Sequence, residues 1–299
     1  MRSLILIFTT SIVCGGTAYT GMQNWYHPHR MALAGSGGAF SSVTSDVINP
    51  AALWTLKKQF DVSFLSYPAN ISAQSFHLVL PGEASVTAYG LRHMNYGLFE
   101  GRDQNNLETD LYSASDTWFD YSASGHSSRW PISWGVSAGL FFSSIEKKQS
   151  VVVMFSSGIL FHFSKLDSKI GLSLLNMGSV IKTYSGNEEL LPVAFVTSFS
   201  KKLAHLPLEL GLDLVKEFDM NDMSVRLGGV FTLPYDWQLK LGTTSNRIDQ
   251  AIYKNVSKNL LTDVGIGLVW IYDNYSFESS IYSYGPGGWI TGFAIGIQF

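Results

Sequence analysis

The chain has 299 residues, of which 46% are hydrophobic, 14% aromatic and only 14% charged, with 28 glycines and a formal net charge of −3. That balance leaves no basic footprint and argues against nucleic acid as a partner. So little charge beside so much glycine and aromatic side chain is also foreign to an ordinary cytosolic enzyme.

Residues Met1-Arg2-Ser3 lead into an apolar run from Leu4 to Val13, which relaxes at Gly15-Gly16-Thr17-Ala18. This is the layout of a secretory signal peptide over residues 1–18, too short to span a bilayer, with cleavage expected after Ala18. The one cysteine, Cys14, lies inside it. A lipoprotein reading, with Cys14 lipidated, meets bulky residues at Ile12 and Val13 where small ones are wanted. Cleavage after Ala18 leaves a chain without a thiol, which excludes disulfides and cysteine catalysis.

Residues 19–58 differ in character from the remainder of the chain. Small residues dominate from Arg30 to Phe40, and Asn49-Pro50 before Ala51-Ala52-Leu53 reads as a helix cap with proline in the first turn. We expect loops and short helical turns here, folded inside something larger as a plug-like segment.

From residue 59 the sequence becomes a series of alternating segments. Leu208, Leu210, Leu212 and Leu214 alternate with Glu209, Gly211 and Asp213; Trp237, Leu239 and Leu241 alternate with Gln238, Lys240 and Gly242. Charges placed between leucines at period two suit a wet lumen behind a lipid-facing wall. Fourteen strands are predicted, at 59–67, 72–80, 84–94, 115–125, 131–145, 149–164, 167–176, 190–203, 206–217, 222–233, 235–245, 259–272, 274–284 and 289–299. The fold class is therefore all-β: a transmembrane antiparallel β-barrel over 59–299 with an N-terminal plug. In the last strand Phe293, Ile295, Ile297 and Phe299 share the bulky face. A final phenylalanine there resembles the insertion signal of bacterial outer-membrane barrels, which implies the outer-membrane lipid and the barrel-assembly machinery as partners.

The connections give a second line of argument. The long ones, Asn95–Ala114, Met177–Glu189 and Asn246–Lys258, come after the third, seventh and eleventh strands, so all three emerge at one end. Short links such as Pro81-Gly82-Glu83 gather at the other, which places both termini in the periplasm.

Candidate chemistry is sparse. Gly35-Ser36-Gly37-Gly38 completes no dinucleotide fingerprint and no Walker lysine is present. His27-Pro28-His29 pairs two imidazoles without further metal ligands nearby and reads as a solvated stretch. His162 shares a parity with Ser156 and Ser164, as His77 does with Ser75, but serine is too frequent for parity to indicate a hydrolase. Asp213, Glu209, Arg226, Lys240 and Asp263 are expected on inner faces, pairing with each other or latching the plug. Strand tryptophans read as interfacial girdle residues, whereas Trp25, Tyr26 and Phe40 lie where they would line an apolar pocket beside the plug. No cofactor is expected, and the chain reads as a non-enzyme.

The small-residue run ending at Phe40, with Asp46, Asn49, Pro50, Ala51 and Leu53 after it, resembles the N-terminal region of the PorV/PorQ family, relatives of FadL-type hydrophobe transporters. Leu172 to Gly178 and Glu188 to Pro192 resemble, more loosely, a strand and turn of that family. The resemblance implies a hatch at Asn49-Pro50 and a role in type IX secretion, with the loops Asn95–Ala114 and Asn246–Lys258 binding secretion components or cargo. Its FadL side implies instead passage of a hydrophobic small molecule across the outer membrane, along a lateral route opened by the plug. Transport predicts an apolar cavity between plug and wall large enough for an alkyl chain.

Overall fold

The computed structural model describes residues 19–40, 48–102, 105–184, 186, 189–218, 223–245 and 262–299. Within them fourteen strands form one closed sheet: β1 (Gln59–Ser66), β2 (Ser72–Pro81), β3 (Ser85–Arg102), β4 (Glu108–His126), β5 (Ile132–Ile145), β6 (Lys148–Phe163), β7 (Ser168–Lys182), β8 (Ala194–Lys202), β9 (Leu208–Glu217), β10 (Met223–Thr232), β11 (Trp237–Thr244), β12 (Val264–Tyr272), β13 (Tyr275–Ser283) and β14 (Trp289–Gln298). Each pairs antiparallel with its sequence neighbours, and β14 closes on β1 through Phe60–Ile297, Val62–Ile295 and Phe64–Phe293. Closure removes every sheet edge along this seam, so the backbone polar groups there are paired with no water needed.

Alternation decides which face goes where. Every strand places a bulky apolar residue on the exposed outer face: Phe64, Phe76, Tyr89, Phe119, Trp134, Phe155 and Ile170 on the first seven, then Phe195, Leu210, Leu227, Leu241, Ile266, Phe277 and Phe293. An apolar band encircling the whole molecule far exceeds the patches that soluble proteins expose, and it fits a hydrocarbon solvent. At the end holding the short turns, Trp237 stacks on Trp270 at 5.9 Å between ring centroids, and Phe277 lies 5.8 Å from Trp270 on its other side. That aromatic cluster suits a membrane interface.

The predicted strands match these within a few residues at most ends, β12 begins at Val264 rather than at residue 259, and three further differences stand out. Asn95–Ala114, expected as a long loop, is mostly sheet: β3 runs on to Arg102 and β4 begins at Glu108, with register shifts near Gly97 and Gly101. Met177–Glu189 likewise begins as strand, since β7 continues to Lys182 past a bulge at Asn176, whose φ is 58°. β8 starts at Ala194 rather than at residue 190. The connections after β3, β7 and β11 leave the sheet at the same end, but the one after β3 is now as short as links at the other end. Residues 1–18, Asp46 and the loop Asn246–Lys258 lie outside the described residues.

Candidate functional site

The inward face is rich in glycine and serine because other backbone lies against it. Residues 19–40 and 48–56 are largely buried and touch inward-facing positions of strands all round the barrel, so they lie in the lumen. A Cβ placed on Gly242 would fall on the backbone of Leu33, and one on Gly135 would fall on the backbone of Pro50. Only glycine admits such an approach.

Polar bonds hold this segment at several points. The helix α1 (Pro28–Ala32) is capped by His27, whose Nδ1 accepts from the His29 N–H at 3.1 Å. That acceptor role leaves the proton on His27 Nε2, which donates to Asp61 Oδ2 at 3.1 Å. Ser63 Oγ donates to the Tyr26 carbonyl at 2.5 Å. Lys240 is fully buried and donates to His29 Nδ1 at 2.8 Å and to Glu278 Oε1 at 2.7 Å. Burial, then the Lys240 ammonium, hold His29 well below its usual pKa, so the ring is a neutral acceptor. Asp213 Oδ2 receives the backbone N–H of Gly37 at 2.7 Å and of Gly38 at 3.0 Å, while Ser200 Oγ donates to the Ala39 carbonyl.

The Asn49-Pro50-Ala51-Ala52-Leu53 element is buried throughout. Asn49 Oδ1 caps the turn Pro50–Thr55 by accepting from Ala51 N at 3.0 Å, and its Nδ2 donates to the Ile159 carbonyl of β6 at 3.1 Å. One side chain thus both starts the turn and ties it to the wall, a use of the capping preference of asparagine.

Some expectations are corrected here and others find their partners. His27 and His29 are not solvated: both are buried, as N-cap and wall contact of α1. Asp213 and Arg226 bond to the lumenal segment, Arg226 through the Gly35 carbonyl, while Lys240 bonds both to the segment and to another wall residue. Asp263 accepts from Tyr282 Oη at 2.8 Å, and Glu209 is buried. Trp25 packs against Tyr282 and Tyr284, and Phe40 against Leu33 and Val230, so they fix the segment rather than line a pocket. His162 Nε2 lies 2.8 Å from Ser133 Oγ, not from Ser156 or Ser164, and the other group on that hydroxyl is His126. Among the described residues no acid is seen on either imidazole to orient a triad base. Ser75 meets Ser63 and the Tyr26 carbonyl.

Two cavities flank the wall between β2 and β6. Outside, an apolar groove of about 640 Å³ is bordered by Phe60, Phe76, Tyr89, Phe119, Tyr121 and Leu140. Inside, a chamber of about 120 Å³ lies between the segment (Gln23, Tyr26, Arg30, Ile48, Leu53) and the wall (His77, Arg92, Trp118, Asp120, Met154). They share His77, Tyr89, Asp120 and Gly139, and the row His77–Gly90–Asp120–Gly139 is continuous across four strands. One sheet thickness separates them. The inner chamber is smaller and more polar than the alkyl-sized apolar cavity expected, because the Arg92–Asp120 ion pair, at 3.1 Å, forms part of its wall.

No family model and no curated relative matches the chain. Solved structures do. The toluene transporter TbuX of Ralstonia pickettii aligns over 92% of this chain and 98% of its own, with a TM-score of 0.60 and 14% identity. The Pseudomonas putida toluene transporter TodX aligns over 91% and 96%, at 0.62 and 10%. A Pseudomonas aeruginosa FadL homologue aligns over 91% and 98%, at 0.56 and 10%. The barrel has the FadL-type fold. At such identities the likeness concerns architecture alone, since one barrel serves many tasks.

Proposed function

We propose that this chain is an outer-membrane passage for a small hydrophobic molecule, shut in the conformation described by its lumenal segment. The observation that carries the reading is the seated segment itself, with a chamber beside it that backs onto an apolar groove, in a fold shared with toluene transporters. The apolar outer band and the signal-like residues 1–18 support the outer membrane as its place. The ladder is unbroken along the row that divides groove from chamber, so passage requires the segment to shift or strands to part.

A reversible cross-link tests this. A Cβ on Gly228 would lie 3.4 Å from Ser36 Cβ, close to the spacing of a disulfide. Cells expressing the S36C/G228C pair should take up toluene slowly when oxidised and at the wild-type rate after reduction. Wild-type cells that take up toluene no faster than cells lacking the gene would sink the proposal. The secretion role implied by the PorV/PorQ resemblance is not what the names of the toluene transporters matched above state. The same deletion strain addresses it, because that role demands secreted cargo trapped in the periplasm with uptake unchanged.

A further inference from the structure

The short-turn end of the barrel carries its charges unevenly. The turns after β4, β6 and β8, with the last residues of β8, expose Arg129, Lys165, Lys201 and Lys202 against one exposed acid, Asp167. The turns after β2, β10 and β12 expose Glu83, Asp236 and Asp273 and hold no lysine or arginine. Another exposed pair, Lys57 and Lys58, precedes β1, which stands opposite β8 in the ring. The basic turns adjoin one another. The His162 N–H donates to the Pro131 carbonyl at 2.8 Å, and the Lys202 N–H donates to the Asp167 carbonyl at 2.9 Å.

Each basic turn also exposes a bulky apolar residue: Trp130, Leu166 and Leu206. The Arg129 guanidinium lies 5.7 Å from the Trp130 ring centroid. Lys201 is the most telling of the four. In register it stands between Ser168 and Leu210, and Leu210 and Phe199 belong to the exposed outer face. Lys201 therefore shares the wall that meets hydrocarbon. A lysine there is tolerated close to the interface, where its stem lies along apolar neighbours and its ammonium reaches the headgroups. An acidic protein in the aqueous phase would account for exposed cations, but not for a lysine on the lipid-facing wall.

From this we infer that the rim from β4 to β9 is a docking surface for phospholipids whose headgroup is a net anion. Such lipids gather along the sector with their acyl chains against Phe163, Phe199 and Leu210, and no one headgroup has to touch all four cations. A zwitterionic headgroup brings its own ammonium and gains little from the same field. The inference needs the barrel to sit in a bilayer and is independent of what the barrel passes.

The test reconstitutes the full chain in phosphatidylcholine bilayers with a trace of spin-labelled phosphatidylglycerol or spin-labelled phosphatidylcholine. Electron paramagnetic resonance then reads the fraction of each probe immobilised against the barrel. A cation near an anionic surface strengthens association about fivefold. Spread over both leaflets, with only the β4–β9 sector of one leaflet contributing, that leaves phosphatidylglycerol favoured about twofold at 0.1 M salt. Raising the salt to 1 M cuts the screening length from about 10 Å to about 3 Å and should bring the ratio close to one. R129Q/K165Q/K201Q/K202Q should do the same at 0.1 M salt, whereas K57Q/K58Q should leave the preference in place. Equal immobilisation of the two probes by the unaltered protein would overturn the inference and leave the basic turns to an acidic protein partner. A preference that survives the fourfold neutralisation, or that K57Q/K58Q abolishes, would overturn it as well. The salt series uses the unaltered protein, so the inference stays open to refutation even where a variant does not fold.

Discussion

Asp213→Ala tests how the lumenal segment is held. The Asp213 carboxylate is 1% exposed and receives two backbone N–H groups, from Gly37 at 2.7 Å and Gly38 at 3.0 Å. A hydrogen bond to a charged group contributes about 1.5–3 kcal/mol, and truncation also leaves both buried donors without their acceptor. The loss should sum to about 3–5 kcal/mol against the seated segment, which is more than a hundredfold in its docking equilibrium. The rest of β9 keeps its ladder with β8 and β10, so the barrel should persist. Hydrogen-exchange mass spectrometry on peptides covering residues 33–40 reads the effect. Exchange there should accelerate by about two orders of magnitude while β9 stays protected. Asp213→Asn, which retains one acceptor oxygen, should fall between. Unchanged exchange in the alanine variant would refute the latch, and equal acceleration in β9 would mean that the residue supports the barrel instead.

Three further outcomes rest on the same contacts. Gly242→Val places a side chain where the Leu33 backbone lies, so it should weaken seating by about 1–3 kcal/mol, read as faster exchange in 31–40 with the β11–β12 ladder intact. His29 is neutral when seated and titrates near pH 6.5 when released, so the released state binds more protons in acid. Seating should therefore hold at pH 7.5 and weaken as pH falls below about 6.5, by up to about 1.4 kcal/mol per unit; His29→Gln should flatten that part of the profile. Lys240→Met strips Glu278 of a 2.7 Å ion pair in a buried site and should cost about 3–5 kcal/mol in urea unfolding, with Lys240→Met/Glu278→Leu recovering much of it.

How much of this the sequence carried depends on what surrounds each residue. Strands β9, β11 and β14 were legible because hydrocarbon on one side and a packed lumen on the other impose period two on every residue. The upper parts of β3 and β4 stand past that band. There Ser113, Ser115 and Glu100 face outward or lie exposed, Gly97 and Gly101 shift the register, and alternation fades. An extended hairpin at that height therefore reads as a loop. The Asn49-Pro50 turn was visible because capping is local chemistry. The partners of His27 were not, because Asp61 and His77 reach it only once β1 and β2 are in the barrel. The one trace of them is an Asp between Phe60 and Val62, and a His between Phe76 and Leu78, each at an inward position.

The central claim is that the bulky faces of these strands meet hydrocarbon and the small faces meet the lumenal segment. Single-cysteine variants along β14, spin-labelled in bilayers, measure it directly through relaxation by lipid-soluble oxygen and by a water-soluble nickel chelate. Labels at Phe293, Ile295 and Ile297 should be relaxed strongly by oxygen, and those at Gly292, Ala294 and Gly296 weakly by either agent. A flat profile along the strand, or oxygen relaxation on the opposite parity, would contradict the account.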